Sequence, residues 1–200
     1  MSKRIGNILI ALGALCVAAA LALLLHNDAE ARAAAAASDA VLPVLAEAVA
    51  ERAAEPPEPE EPEEPEETPA EEPVVELDGV RYIGYLSIPA LALELPVRAE
   101  WSYPALQESP CRYAGTAAEG GLCIAAHNFR RHFGAIGALE AGDAVIFTDA
   151  AGETHTYAVA EVTTLRPTAV DEMRDSAWDL TLFTCTPGGA SRIAVRCEKD

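Results

Sequence analysis

The sequence has few basic residues and none of the common metal-binding spacings. Its 200 residues contain 14 Lys and Arg against 32 Asp and Glu, a net charge of −18. Basic residues pair only at Lys3-Arg4 and Arg130-Arg131, so we expect no nucleic acid partner. No Cys-x-x-Cys or paired-histidine spacing occurs, and we therefore expect no metal centre and no cofactor. A calcium site built from scattered carboxylates stays open.

Large apolar residues are missing from residues 56–73, PPEPEEPEEPEETPAEEP. Seven prolines alternate there with glutamates, so the segment cannot form a core. Proline and like charges favour polyproline II, and at ~3.1 Å per residue the segment would reach about 55 Å. We expect a disordered stalk that holds a folded domain well clear of the membrane. The preceding residues 28–55, rich in Ala and Glu, predict weak helix interrupted at Pro43.

Charge is missing from residues 5–25, an apolar run of 21 residues. A helix of that length crosses about 30 Å of hydrocarbon. Lys3 and Arg4 precede the run and acids follow it, which predicts a single-pass anchor in the cell membrane. The N-terminus would then be cytoplasmic and the rest of the chain extracytoplasmic. A cleaved signal peptide is the alternative, because small residues follow the run, but the length of the run favours an anchor.

Helix signals are scarce from Val74 onward. Short apolar runs alternate with turn signals, which predicts an all-β (mostly) domain, either a barrel or a sandwich. The predicted strands are 83–88, 121–126, 144–148, 155–164, 180–185 and 192–197. The chain thus divides into a cytoplasmic tip and anchor (1–27), a linker (28–76) and a folded domain (77–200). No spacing identifies a disulfide among Cys111, Cys123 and Cys197.

The last two predicted strands, 180–185 and 192–197, are joined by a loop rich in Pro and Gly. If they form a hairpin, Cys185 faces Arg192, with Cβ atoms about 4.5–5.5 Å apart. A nearby cation favours the thiolate, the nucleophilic form of cysteine. Arg196 lies roughly 13 Å further along at ~3.3 Å per residue, so Arg192 is the better partner.

Another apolar strand ends at His127, which places an imidazole at a sheet edge. A cysteine nucleophile needs a proton partner and a group that stabilises the oxyanion. His127 and Arg192 have the chemistry for these two roles beside Cys185. A cysteine or histidine ending an apolar strand is more often structural than catalytic, so the assignment depends on the surrounding motifs.

Those motifs resemble the sortases, the transpeptidases of Gram-positive bacterial surfaces. Residues 181–185, TLFTC, followed by Arg192 are similar to the TLxTC…R signature of the family. Residues 82–97, YIGYLSIPALALELPV, look like its opening strand pair, and Ala126-His127-Asn128 resembles its histidine site. Residues 133–143 are similar to class B, while the short connection 167–178 departs from it. Classes B and D therefore both stay open.

The resemblance implies a sortase-type β-barrel with short helices and a catalytic set of His127, Cys185 and Arg192. Thr184 and Asn128 are assigned to substrate binding, with Asn128 also a candidate for orienting His127. The implied substrates are secreted proteins with a C-terminal LPxTG-like sorting signal, and the implied acceptor is an amine of a peptidoglycan precursor or a pilin. The alternatives are a non-catalytic anchored β-domain that binds wall components and a purely hydrolytic cysteine peptidase.

Overall fold

A computed structural model describes residues 3–54, 72–174 and 177–200. The predicted stalk lies almost entirely outside these residues, so its disorder stays a prediction, as do the boundaries 1–27, 28–76 and 77–200. The part of the chain that is described consists of one long N-terminal helix followed by a sheet-rich domain with short helices. The prediction of a mostly β domain is therefore confirmed.

The N-terminal helix, α1 (Lys3–Ala54), runs through Pro43 without interruption. The expected break at Pro43 is therefore wrong. Proline removes one backbone hydrogen bond from a helix, but Pro43 is exposed while Leu45 and Val49 are buried against the domain. Packing of that face offsets the lost bond. The N-terminal part of α1 is apolar and exposed, and it is long enough to be a candidate membrane span.

The described part of the domain is built from nine strands and two kinds of short helical element. The strands are β1 (Val75–Leu77), β2 (Val80–Ile88), β3 (Leu93–Arg98), β4 (Cys111–Thr116), β5 (Gly120–Ala125), β6 (Ala144–Asp149), β7 (Thr154–Leu165), β8 (Leu180–Cys185) and β9 (Arg192–Lys199). Two short α-helices, α2 (Tyr103–Leu106) and α3 (Val170–Met173), and two 3-10 turns (Pro89–Leu91 and Phe133–Ala138) lie between them. Each predicted strand coincides with an observed one to within three residues at either end.

The strands form one sheet in the order β1-β2-β3-β4-β5-β8-β9-β7-β6, and β6 also pairs with β2. This last pairing closes the sheet on itself. Most neighbours are antiparallel, but β5 and β8 are parallel, with Ala125 opposite Phe183. The carboxyl ends of β5 and β8 therefore meet at the same edge. Strands β8 and β9 form the predicted hairpin.

The closed sheet surrounds an apolar core. Its fully buried side chains with the largest volumes include Phe133, Phe147, Tyr157, Leu122 and Leu182. Burying a side chain of this size contributes about 1.5–3 kcal/mol relative to leaving it exposed. Strands β5, β8 and β9, which carry the candidate site, each contribute side chains to this core, and the core therefore fixes their positions.

A separate cluster joins α1 to the domain. Leu45 and Val49 pack on Val75, Tyr82 and Ala150 at the outside of the sheet. The end of α1 is therefore in direct contact with the domain, while the stalk expected from residues 56–73 stays a prediction. Both flanks of that stretch lie at the domain, because Arg52 Nη1 donates to the carbonyl of Val74 over 2.9 Å.

Candidate active site

Three neighbouring strands bring the three predicted catalytic residues to one edge of the sheet. His127 lies two residues beyond Ala125 of β5, and Cys185 lies two residues beyond Phe183, the partner of Ala125 on β8. The Ala126 amide continues this pairing by donating to the Phe183 carbonyl over 3.2 Å. Cys185 in turn faces Arg192 on β9. Since adjacent strands lie ~4.8 Å apart, the imidazole, thiol and guanidinium line one short row.

The loop 186–191 fixes the Cys185–Arg192 pair. The Thr186 amide donates to the Ser191 carbonyl over 3.0 Å, and the Ser191 amide donates to Thr186 Oγ1 over 3.0 Å. Gly188 and Gly189 have φ of 81° and 75°, values that glycine adopts without steric cost. The guanidinium of Arg192 is tied back by hydrogen bonds to the carbonyls of Gly189 and Ser191.

His127 has a half-buried imidazole with an unused nitrogen. Its ring stacks on Phe129 at a centroid distance of 4.8 Å. Its Nε2 is buried and has no hydrogen-bond partner among the described residues. Burial lowers the pKa of His127, and the Glu30 carboxylate of α1 opposes that shift. A buried, unpaired ring nitrogen at the groove is suited to exchange a proton with a bound substrate.

His132 supports the loop that carries His127, a role that the sequence did not indicate. It is fully buried, and its Nε2 lies 3.3 Å from Ser38 Oγ of α1. Because Ser38 Oγ donates to the Glu108 carbonyl, the His132 ring must be the donor to Ser38. The Phe129 ring lies between the two histidines, with its centroid 5.7 Å from that of His132.

We expect the protein to lose stability in mild acid through His132. Burial, followed by the effect of His127, lowers the pKa of His132 to about 4 from 6.5. The unfolded chain therefore binds this proton first, so stability is full above pH 6.5 and falls until about pH 4. Between pH 7.5 and 5 the loss should be about 2 kcal/mol. Urea unfolding at both pH values measures it.

The matched variant for this test is His132→Gln, because an amide donates to Ser38 but does not titrate in this range. Its stability should change less between pH 7.5 and 5 than that of the unmodified chain, by about the same 2 kcal/mol. An identical acid loss in both proteins would show that other groups, such as His127, cause it.

An apolar groove of about 240 Å³ opens beside the catalytic row. His127, Cys185 and Arg192 are among the residues that line it. A series of aromatic rings, Tyr103, Trp101, Tyr113 and Phe183, also lines it, with successive centroids 5.1, 5.7 and 5.1 Å apart. Tyr103 is 74% exposed and Trp101 is 39% exposed. Exposed aromatic rings that adjoin a groove are typical of a ligand-binding surface. The groove is thus suited to an apolar peptide segment.

The remaining candidates differ in position. Thr184 lines the groove, but its hydroxyl already donates to the Ala126 carbonyl over 2.8 Å. Asn128 does not line the groove, and no hydrogen bond from its side chain to His127 occurs among the described residues. Its backbone carbonyl instead closely approaches Gly134, where an added Cβ would lie 2.6 Å away. Arg196 is buried and donates to Thr181 Oγ1 over 2.8 Å and to the Glu172 carbonyl.

Three other thiols of the domain are structural. Cys111, Cys123 and Cys197 are buried and free, and burial raises their pKa to about 11, 12 and 12. Buried neutral thiols are poor nucleophiles. Cys185 is the partly exposed thiol of the described domain.

One group of side chains has the spacing of metal ligands. The ligand atoms of Asp149, Glu153 and His155 lie within 4.8 Å of one another at the β6–β7 turn. Asp149 is already used there: its Oδ1 accepts from the amides of Ala151 and Glu153, and its Oδ2 lies 2.8 Å from His155 Nε2. With these bonds, the cluster stabilises the β6–β7 turn. The cluster lies at the start of β7, whereas Leu165, which pairs with Arg192, lies at the other end of that strand.

A thiol, an imidazole and a guanidinium beside an apolar groove define a cysteine-dependent acyl-transfer site. The sortase domain family matches residues 86–200, more than half of the chain. The chain therefore belongs to the sortases, and it is a cysteine transpeptidase. None of the curated proteins matches it.

Solved sortase structures share this fold. Sortase C1 from Streptococcus agalactiae is 28% identical with a TM-score of 0.55, covering 62% of this chain and 70% of that one. Clostridium perfringens sortase C with the C-terminal cell wall sorting motif is 26% identical with a TM-score of 0.52, covering 60% and 70%. Sortase A from Corynebacterium diphtheriae, 24% identical with a TM-score of 0.54 over 60% of each chain, is similar in fold. The choice between classes B and D gains no support from these neighbours.

Proposed function

We propose that this sortase is anchored in the membrane by α1, cleaves a C-terminal LPxTG-like sorting signal and transfers the protein to an amine of the cell wall or a pilin. The observation that carries the proposal is the strand register that aligns His127, Cys185 and Arg192 at one edge, beside an apolar groove. The solved C. perfringens sortase C with its sorting motif supports the substrate class.

Acylation begins with attack of the Cys185 thiolate on the scissile carbonyl carbon. The carbonyl oxygen gains the negative charge, and Arg192, freed from the loop carbonyls of Gly189 and Ser191, donates to it. The C–N bond then breaks, and protonated His127 gives its proton to the leaving amine. The products of this half-reaction are a thioester at Cys185 and a peptide with a free amine.

Transfer reverses these roles. Neutral His127 takes a proton from the acceptor amine as that amine attacks the thioester carbon. The C–S bond breaks, the thiolate of Cys185 leaves, and a new amide remains. Water competes with the amine, and limiting it depends on filling the apolar groove. The aromatic rings from Tyr103 to Phe183 are suited to cover the apolar residues of the signal.

Thr184 and Asn128 have smaller proposed parts. Thr184 lines the groove beside Cys185, where its methyl group can contact substrate while its hydroxyl stays on Ala126. Asn128 keeps its proposed part in binding substrate or orienting His127, to which it is adjacent in the chain. The proposed topology has a cytoplasmic N-terminus, a single span and an extracytoplasmic domain.

Incubating the full chain in detergent with an LPxTG-like peptide should give a hydroxylamine-labile adduct at Cys185, seen as a mass increase of the intact protein. A thioester is the intermediate that such a nucleophile forms, and added amine should divert the product from acid to amide. Quantifying the acid and amide by mass spectrometry checks the transfer.

Two outcomes would contradict the proposal. A folded protein that forms no adduct with any peptide of a broad library would remove the assigned substrate class. An adduct that gives only acid, whatever amine is offered, would favour a purely hydrolytic peptidase, since acylation is common to both reactions.

A further inference from the structure

Helix α1 joins the apolar segment to the domain without a break. Its buried positions Ala34, Ser38, Leu45 and Val49 recur at spacings of four or seven residues on one face. That spacing is the stripe of a helix docked on a surface. The face begins only nine residues after Leu25, at the end of the apolar run. The helix that enters the membrane is thus the same rigid body that contacts the catalytic domain.

The contacts along α1 define which end of the domain is nearer the membrane. Ser38 contacts His132, in the loop that carries His127. Asp39 pairs with Arg131 of the same loop over 2.6 Å. Ala53, much further along α1, lies against Gly152 of the β6–β7 turn, leaving no room for a Cβ there. The catalytic edge is therefore proximal to the apolar segment, and the β6–β7 turn is distal.

Helix geometry converts these contacts into heights. At ~1.5 Å per residue, Ala34 and Ser38 lie about 14 and 20 Å beyond Leu25. Ala53 lies about 42 Å beyond it. The His127 loop is therefore about 20 Å closer to the bilayer than the β6–β7 turn.

The charge of the proximal edge suits a bilayer surface. Residues 77–200 carry 16 acids and 10 bases, yet the proximal edge presents the exposed side chains of Arg130 and Arg166, while the exposed Arg131 is paired with Asp39. Arg166 belongs to this edge because it follows Leu165, the partner of Arg192. Exposed arginines near a membrane surface are attracted to anionic headgroups.

We propose that α1 is a rigid spacer that holds the catalytic edge about 15–20 Å above the apolar core of the bilayer, and that it thereby selects sorting signals whose scissile bond lies at that height above their own membrane anchor. The selection of substrates rests on the proposed function. The height rests on the proposed anchoring by α1 and on the α1 contacts with His132, Arg131 and Gly152, but not on the proposed substrate.

The height is measured without catalysis by energy transfer from a dye on the domain to labelled headgroups. The full chain is reconstituted in vesicles with Cys16→Ala and Cys185→Ala, and single exposed dye sites are made by Arg130→Cys or Glu153→Cys, both exposed positions. Transfer should be clearly stronger from position 130, the proximal site. Equal transfer from both positions, or stronger transfer from 153, would overturn the proposal.

Selection is tested with an insertion. Seven helix-forming polar residues placed between Leu25 and His26 raise the edge by about 10 Å and keep the docked face in register, because seven residues make nearly two turns. The substrates are one soluble peptide and the same peptide joined to a membrane helix by spacers of graded length. The matched control carries the same seven residues between positions 63 and 64, outside α1.

The insertion in α1 should move the preferred spacer to a greater length and slow the substrate best used by the parent chain about tenfold, through lost effective concentration. Soluble peptide should react within twofold of the parent rate, and the control should keep the parent spacer preference. An unchanged preference for spacer length after insertion in α1 would overturn the proposal that α1 is a rigid spacer that selects substrates. Failure of the parent chain with the soluble peptide would overturn the proposed function and the substrate selection, while the energy-transfer result would still decide the height.

Discussion

Replacing Cys185 with alanine should abolish both cleavage and transfer, and His127→Ala should come close to doing so. No other thiol of the described domain is exposed to replace the nucleophile, because Cys111, Cys123 and Cys197 are buried. Loss of a general acid typically costs about 10²–10⁴ in rate, and here the same imidazole is proposed to serve both half-reactions. Peptide cleavage and amide formation, followed by chromatography, measure the two losses separately.

The matched control is Cys111→Ala, which removes a fully buried thiol that does not line the groove. It should retain the parent activity per folded molecule and the adduct at Cys185. Activity that survived in Cys185→Ala but fell in Cys111→Ala would place the nucleophile elsewhere.

The pH profile of the parent should be bell-shaped, with apparent pKa values that belong to the thiol–imidazole pair. Because burial lowers the pKa of His127, we expect the profile to lie further to the acid side than that of a pair with an exposed imidazole. The rate of each variant is therefore measured at the optimum of its own pH profile, because a shifted profile would otherwise be mistaken for a loss of rate.

The catalytic row follows from local sequence because its geometry is local. A hairpin closing on residues 186–191 places Cys185 opposite Arg192 whatever the rest of the fold does, and the structure has that register. His127 needed one more fact, the parallel pairing of β5 with β8, which joins residues far apart in sequence. An apolar run in the sequence predicts a strand, but it does not predict which strand will lie beside it.

The features that sequence reasoning missed depend on distant contacts. Residues 28–54 are rich in alanine, and their helix is marginal alone; docking of Leu45 and Val49 stabilises it through Pro43. His132 has no motif, and its role is visible only with Ser38 in place. The aromatic groove had a weak signal in Trp101 and Tyr103, two rings close together in a chain with 6% aromatic residues.

Replacing Arg192 with alanine should slow acylation by about 10²–10³, the usual cost of losing a group that stabilises the oxyanion. The fold should survive, because Arg192 contacts only loop carbonyls and lies at the sheet edge. Arg192→Lys should fall between, since lysine keeps the charge but loses the planar fork of donors. Single-turnover acylation, followed by intact-protein mass spectrometry, separates this step from transfer.

Arg196 provides the matched arginine four residues along the same strand, and its effect should fall on stability instead. Its guanidinium is buried and donates to Thr181 and to the Glu172 carbonyl. Arg196→Ala leaves these acceptors unpaired, so we expect a loss on the order of 3 kcal/mol in the free energy of unfolding. The molecules that stay folded should acylate near the parent rate. The reverse result, a stable Arg196→Ala that does not acylate beside a normal Arg192→Ala, would mean that Arg196, roughly 13 Å further along the same face of β9 at ~3.3 Å per residue, stabilises the oxyanion. Cys185 would then need a different substrate path from the groove described above.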